Sequence, residues 1–227
     1  LSNPDLGDAL IRPHYSRMYQ PKAFREEDRT RLHLLIERHS FGTLIVPGAS
    51  GELEIAHVPV ALDRDATGKE RLRLHVAMAN PIWRAALAAG RVTVIFNGPH
   101  AYVSARFYEQ PTEQVPTWNY AVVHAQGTPS RLVGEELVRL LDDLVAVHEG
   151  DGPEAWRTSL LDRAFLDELL AEIVGLSIEV TELTGKFKLS QNHSLADHAR
   201  VVDALARRGG PDDLALVALM RDRVTDR

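Results

Sequence analysis

Residues 70–77 alternate without a break: Leu72, Leu74 and Val76 fall on one side, and Arg71, Arg73 and His75 on the other. Successive side chains of a strand point to opposite faces, so this period of two predicts a strand with one buried face. Such a strand needs neighbours, because its backbone donors and acceptors must be paired. The surrounding sequence supplies them. β-branched or alternating runs at 42–46, 53–62, 92–96, 101–104, 118–127 (continuing to 132) and 173–183 are predicted strands. The turns between them carry Gly, Pro, Asn or Asp, at 48–51, 64–69, Gly98-Pro99 and Thr184-Gly185, and residues 186–189 start a further strand or a loop. Pro59 cannot donate a ladder hydrogen bond, so it predicts an edge strand or a bulge at that point.

Helical spacing of apolar residues appears over 26–39, 135–148, 162–172 and 195–205, and a last helix follows Pro211. A short helix to residue 89 starts at Asn80-Pro81, where Asn is a good cap and Pro suits the first helical position. The strands do not alternate regularly with long helices, which argues against a doubly wound parallel sheet. A small antiparallel barrel with helical additions, an α+β protein that is mainly β, fits better. The organisation read from the chain is an irregular arm over 1–17, a barrel domain with inserted helices over 18–192, and a C-terminal helical extension over 193–227.

Several chemistries are excluded. With no cysteine there are no disulfides, Fe–S clusters or thiol catalysis. The nucleotide and nucleophile signatures G-x-x-x-x-G-K-[ST], G-x-G-x-x-G and G-x-S-x-G are missing, and His148-Glu149 is followed by Gly152 where a zinc motif needs its second His. The net charge of −6 gives no support to DNA binding, although a small basic patch remains compatible with it. No apolar run reaches the roughly 20 residues that span a bilayer, and the expected location is the cytoplasm.

Three segments could carry function. In the first, the face bearing Arg71, Arg73 and His75 runs into the capped helix start at Asn80, with Arg84 one turn on; a helix N-terminus suits a phosphate. The plainer reading is a solvated strand face and an ordinary cap. In the second, Pro116 to Tyr120 with Trp118 and Asn119 offers an aromatic surface for a flat ligand, or a core anchor. The third, Gly185 to Asn192, sets Lys186 and Lys188 around Phe187, ahead of Ser190 and Gln191, as an anionic site or a solvent-facing strand end.

Taken together the segments resemble the PaiB family of FMN-binding negative transcriptional regulators. The resemblance rests on Met18 to Phe24, His39 to Leu44, Ala56 to Pro59, Leu74-His75 through Ala79 to Arg84, Ile95 to Ser104, Val115 to Tyr120, Val123 to Ala125 and Gly185 to Asn192, in that order. It implies a split β-barrel related to pyridoxamine-phosphate oxidase, a homodimer, and FMN held between the chains. By resemblance, Ala56, His57, Val58 and Pro59 lie along the isoalloxazine ring. His75, Val76, Ala77, Asn80 and Arg84 approach the phosphate. Trp118, Asn119, Lys188 and Gln191 contribute ring or partner-chain contacts. The related oxidases carry a Ser-Arg-Lys-like run where this chain has Asn80-Pro81-Ile82-Trp83-Arg84, so its phosphate grip is weaker or built differently. The resemblance implies a flavin-dependent regulator or sensor. A flavin-dependent oxidoreductase using NAD(P)H is the alternative, and a haem or deazaflavin carrier, with His57 or His75 on iron, is a third.

Overall fold

The computed structural model describes residues 18–150 and 152–224; the arm expected over 1–17 lies outside the described residues. The alternating segment forms β4 (Glu70–Ala77) at the bounds its pattern predicts. Leu72, Leu74 and Val76 face the core. Around β4 the described residues form β1 (Arg25–Glu26), β2 (Phe41–Pro47), β3 (Leu53–Arg64), β5 (Val92–Val103), β6 (Thr117–Leu132) and β7 (Ile173–Lys188). The sheet order is β1-β7-β4-β3-β2-β5-β6, and β6 also pairs with β7. Every pairing is antiparallel. Six strands therefore close into a barrel, and β1 extends the far end of β7.

Among the described residues six α-helices complete the fold: α1 (Arg29–Arg38), α2 (Ile82–Ala89), α3 (Glu135–Glu149), α4 (Arg163–Ala171), α5 (Leu195–Arg208) and α6 (Pro211–Val224). α1 buries Leu32, Leu35 and Ile36, and α2 buries Ile82 and Ala86, both into the core that holds Leu44, Phe96 and Leu176. Each of the Leu, Ile and Phe side chains among these contributes about 1.5–3 kcal/mol on burial. α3 packs on β3 and α4 on β7, while α6 packs on β5 and pairs with α5. None of the described helices is long and apolar enough to cross a membrane.

Two expected breaks are absent. Residues 92–96 and 101–103 belong to one strand, β5, whose register shifts between Asn97 and His100, and Ser104 lies just past its end. The bulge takes Pro99 out of the ladder, which explains how a residue without an N–H sits inside a strand. Likewise Thr184-Gly185 is no turn, because β7 runs through it. Gly185 is opposite Glu26 on one side and Val123 on the other. A Cβ there would lie 2.1 Å from Leu32 Cδ2, so the glycine admits α1 rather than reversing the chain. α1 also begins three residues later than the periodicity suggests. Glu26 forms β1 and its carboxylate accepts from Glu27 N and Asp28 N, while Asp28 caps the helix by accepting from Thr30 N.

The barrel opens between β3 and β4. β3 and β4 pair from Arg64↔Glu70 to Val60↔Leu74 and no further. Beyond that point Leu53 to Pro59 pair only with β2, and His75 to Ala77 only with β7. Pro59 thus lies on a free edge, which meets the expectation its sequence sets. The outer face beside this edge carries a row running from His57 through Thr43, Ile95 and His124 to Thr184. Phe41, Leu53, Ile55 and Trp118 are more than half exposed, at 69%, 61%, 56% and 52%.

Candidate functional site

The divergence of β3 from β4 follows from their sequences. Pro59 cannot donate into a ladder, and β4 ends at Ala77, where Met78 N donates to Glu172 O at 2.7 Å instead of continuing along β3. The chain then turns through Asn80-Pro81 into α2. Asn80 Oδ1 accepts from Ile82 N at 3.1 Å, which fixes the helix start directly after the strand that borders the gap. The gap therefore combines a free backbone edge (Leu53 to Pro59), the end of β4 and the first turn of α2.

Two cations gather at that first turn. Trp83 Nε1 donates to Met78 O at 3.2 Å, which holds the indole in place. The Arg84 guanidinium lies 4.2 Å from the indole centroid and that of Arg131, from the end of β6, lies 5.3 Å from it. Cation–π contact positions a guanidinium without neutralising it. Neither arginine pairs with a carboxylate among the described residues, so both remain available to an anion. His75 is the first residue beyond the last β3–β4 pair. Its Nδ1 is buried without a hydrogen-bond partner among the described residues. Burial lowers the His75 pKa and keeps the ring neutral near pH 7. A buried, unsatisfied ring nitrogen is costly unless something binds it. His57, on the free half of β3, has its Nδ1 3.1 Å from Thr43 Oγ1.

Of the residues singled out from sequence, the structure gathers Ala56, His57, Pro59, His75, Ala77, Asn80 and Arg84 on the elements that border this gap. Val58 and Val76 share those strands but face the core. Arg71 and Arg73 go elsewhere. Both bind the Asp63 carboxylate, Arg73 through bonds of 2.6 and 2.7 Å, and Arg73 also reaches Asp143 of α3 at 2.6 Å. Burial alone would raise the Asp63 pKa, but the Arg73 and Arg71 hydrogen bonds outweigh it and hold the carboxyl below its ordinary value. The strand face read as solvated or phosphate-binding is thus an ion-pair layer under α3.

Trp118, Asn119, Lys188 and Gln191 lie far along the sheet. On β7, Lys188 is thirteen residues from Gly175, the partner of His75, roughly 40 Å along the strand. Trp118 faces outward, in edge contact with Tyr102 at 5.9 Å. Asn119 is fully buried and donates to Ser190 Oγ at 2.9 Å. Gln191 accepts from Leu189 N at 2.6 Å and donates to Phe187 O at 2.5 Å. Lys188 Nζ donates to Thr117 Oγ1. Sequence reasoning missed Arg131. A single Arg at the tail of a long strand carries no pattern, and only the closure of the barrel brings it to Trp83.

A planar ring with amide-like edges and an anionic tail matches this donor set. The free edge of β3 offers backbone N–H and C=O groups to the ring, His75 Nδ1 lacks a partner among the described residues, and the start of α2 with Arg84 and Arg131 suits a phosphate. A sequence family described as "Putative FMN-binding domain" matches residues 18–182. Among curated relatives, "Protease synthase and sporulation protein PAI 2" of Bacillus subtilis is 33% identical over 209 residues, covering 91% of this chain and 98% of that protein. An uncharacterized protein of Aspergillus fumigatus is 26% identical over 216 residues, covering 75% of this chain and 83% of its own. Among solved structures, the FAD and heme binding protein from Mycobacterium smegmatis superposes with a TM-score of 0.56 at 17% identity, covering 82% of this chain and 80% of that one. A 5-nitroimidazole antibiotic resistance protein from Bacteroides thetaiotaomicron, so described provisionally, gives 0.54 at 15% identity, covering 71% and 85%. At those identities the structural likeness establishes the split-barrel fold alone.

Proposed function

Since this chain belongs to the PaiB-type family of FMN-binding split-barrel proteins, we propose that it works as a homodimer in which the β3–β4 gap holds FMN and the flavin's state is read out as a sensor or regulator. The family makes FMN the cofactor. The observation that carries the reading is the coincidence, in one gap, of a free strand edge, a His75 Nδ1 unsatisfied among the described residues and two guanidiniums without carboxylate partners among them.

Bound there, FMN would supply reversible electron or hydride transfer. The protein's part is positioning. The Ala56 to Pro59 backbone faces the ring edge, with the His57 side chain on the outer surface beside it. Neutral His75 gives one donor and one acceptor, Ala77 leaves room, and Asn80 fixes the helix start. Arg84 and Arg131 take the phosphate in place of the Ser-Arg-Lys-like run of the related oxidases. The exposed row of Phe41, Leu53 and Ile55 beside the gap supports a second copy as its cover, with Trp118 of that copy as an aromatic contribution. The test compares FMN with riboflavin, which lacks the phosphate. The intact protein should prefer FMN at least tenfold. The Arg84→Ala/Arg131→Ala double variant should lose most of that preference while still binding riboflavin. Equal preference in both proteins would remove the assignment.

A regulatory readout need not involve direct contact with DNA. In α5 and α6, Arg208 is bound to Asp213, Arg223 to Glu26, and Arg200 lies 3.7 Å from Glu109. These helices therefore present few free cations to phosphates. A gel shift of the FMN-loaded protein with promoter fragments decides it: salt-sensitive retardation assigns a direct role, and its absence assigns the readout to a protein or small-molecule partner. A flavin-dependent oxidoreductase is the second reading. It is favoured by exposed His57, beside the free edge, as a group able to exchange a proton with a reduced ring. Bleaching of flavin absorbance by NADH or NADPH supports that reading, and no bleaching with either counts against it.

A further inference from the structure

α1 and α6 flank a groove whose lining shares no residue with the borders of the β3–β4 gap. We infer that this groove is a second ligand site, one that takes a monocyclic aromatic carboxylate. Helical periodicity builds its two walls. Arg31, Leu34, Leu35 and Arg38 line it from α1, and Ala215, Ala218, Leu219 and Asp222 line it from α6. Each set has the spacing i, i+3, i+4, i+7, which is one face of a helix. Both stripes are apolar in the middle, and α1 carries an arginine at either end of its own.

The apolar stretch comes from a second apolar face on α6. A surface helix ordinarily turns a polar face away from the core. Here Leu216, Val217 and Met220 are buried in the core, while Ala215, Ala218 and Leu219 face the groove. The two alanines leave space that longer side chains would fill. The floor depends on the β5 bulge. A Cβ on Gly98 would lie 2.9 Å from Leu35 Cδ1, so the missing side chain lets Leu35 settle over the bulge beside Pro99. The space left is about 170 Å³. An apolar cavity of about 150 Å³ holds benzene, so a single ring fits and a fused ring system does not.

Charge decides what the ring carries. The lining holds three guanidiniums, of Arg31, Arg38 and Arg223, against the carboxylates of Glu26 and Asp222. At one end the charges are already matched. Buried Glu26 is bound by Arg223 and lies 3.7 Å from Arg31, and Arg223 also donates to Arg25 O at 3.3 Å, which ties the end of α6 to β1. At the other end the Arg38 guanidinium has no ion pair or side-chain hydrogen bond among the described residues. Next to it, burial holds the His39 pKa below its ordinary value against the opposing pull of Asp212. The imidazole is therefore neutral near pH 7 and can share a hydrogen bond. A ring in the apolar middle puts its carboxylate on Arg38, whose planar fork matches that group.

The experiment titrates the full chain by calorimetry, with and without saturating FMN. The probes are benzoate, benzylamine (the same ring with the opposite charge) and acetate (the carboxylate without the ring). Benzoate should bind saturably, at least tenfold more tightly than either of the others, and equally well to the FMN-saturated protein. Arg38→Met should weaken benzoate at least tenfold, and Ala218→Phe, which fills the groove, should abolish saturable binding. Arg38 is exposed, so its variant keeps the test decisive if Ala218→Phe unfolds. The proposal is overturned if benzoate does not saturate, if benzylamine or acetate binds as tightly, if FMN displaces benzoate, or if Arg38→Met binds as the parent does. Benzoate affinity that falls as the protein concentration is raised tenfold would assign the groove to a second copy and overturn it too. A protein that binds benzoate at Arg38 but fails to bind FMN would leave this site standing and remove the flavin assignment instead.

Discussion

At Gly185 the local sequence and the fold disagree about why the residue is there. The pair Thr184-Gly185 has the composition of a turn, yet the glycine sits inside β7 because Leu32 of α1 occupies the place of its side chain. Gly185→Ala should therefore destabilise the protein by about 1–3 kcal/mol through overpacking, read by chemical denaturation. A shift within experimental error would mean that α1 yields easily. Asp63 makes a second residue-scale case. Its folded pKa lies below its ordinary 3.8, so its pairing stabilises the fold fully above that value and is lost as pH falls through the lowered one. Arg73→Met should cost on the order of 1–3 kcal/mol at pH 7 and flatten the loss of stability on acidification. Neither role was legible in the alternation of residues 70–77, which places Arg71 and Arg73 on one face but does not reveal that α3 covers that face.

Elements were legible where their reason is local. β4 follows from strict alternation, and α2 from Asn80-Pro81 ahead of an apolar face. Asn80→Ala should cost about 1 kcal/mol by leaving Ile82 N without its cap, measured as a lowered denaturation midpoint, and should weaken FMN binding as the helix start loosens. Elements were misread where the reason is distant. β5 passes through Gly98-Pro99 as a bulge because β6 continues to pair on either side of the shift. β7 continues through Gly185 because β1 and β6 both pair there. Gly and Pro mark breaks by their own conformational preferences, and long-range pairing overrode those preferences twice. Pro59, by contrast, has its usual meaning, since no strand lies beside it on the β4 side.

On the scale of the whole molecule, the barrel class could be read from the strands, but the place where it opens could not. The opening depends on where β3 and β4 cease to pair, a registration between segments. The candidate site inherits this: residues next to each other in sequence, such as His75 to Arg84, carry a local signal, while Arg131 is visible only once β6 has returned to the start of α2. The exposed Phe41, Leu53 and Ile55 beside the gap give the proposed dimer its seam. Ile55→Lys should produce single chains and weaken FMN binding at least tenfold, since a charge placed in an apolar seam is strongly unfavourable. Sedimentation of the FMN-loaded protein, recorded at the flavin's visible absorbance, bears most directly on the idea that the gap and a second copy together hold the cofactor. The flavin signal should move with a particle of two chains of 25.2 kDa each. Flavin that moves with a single chain, or stays behind with the free cofactor, would contradict it.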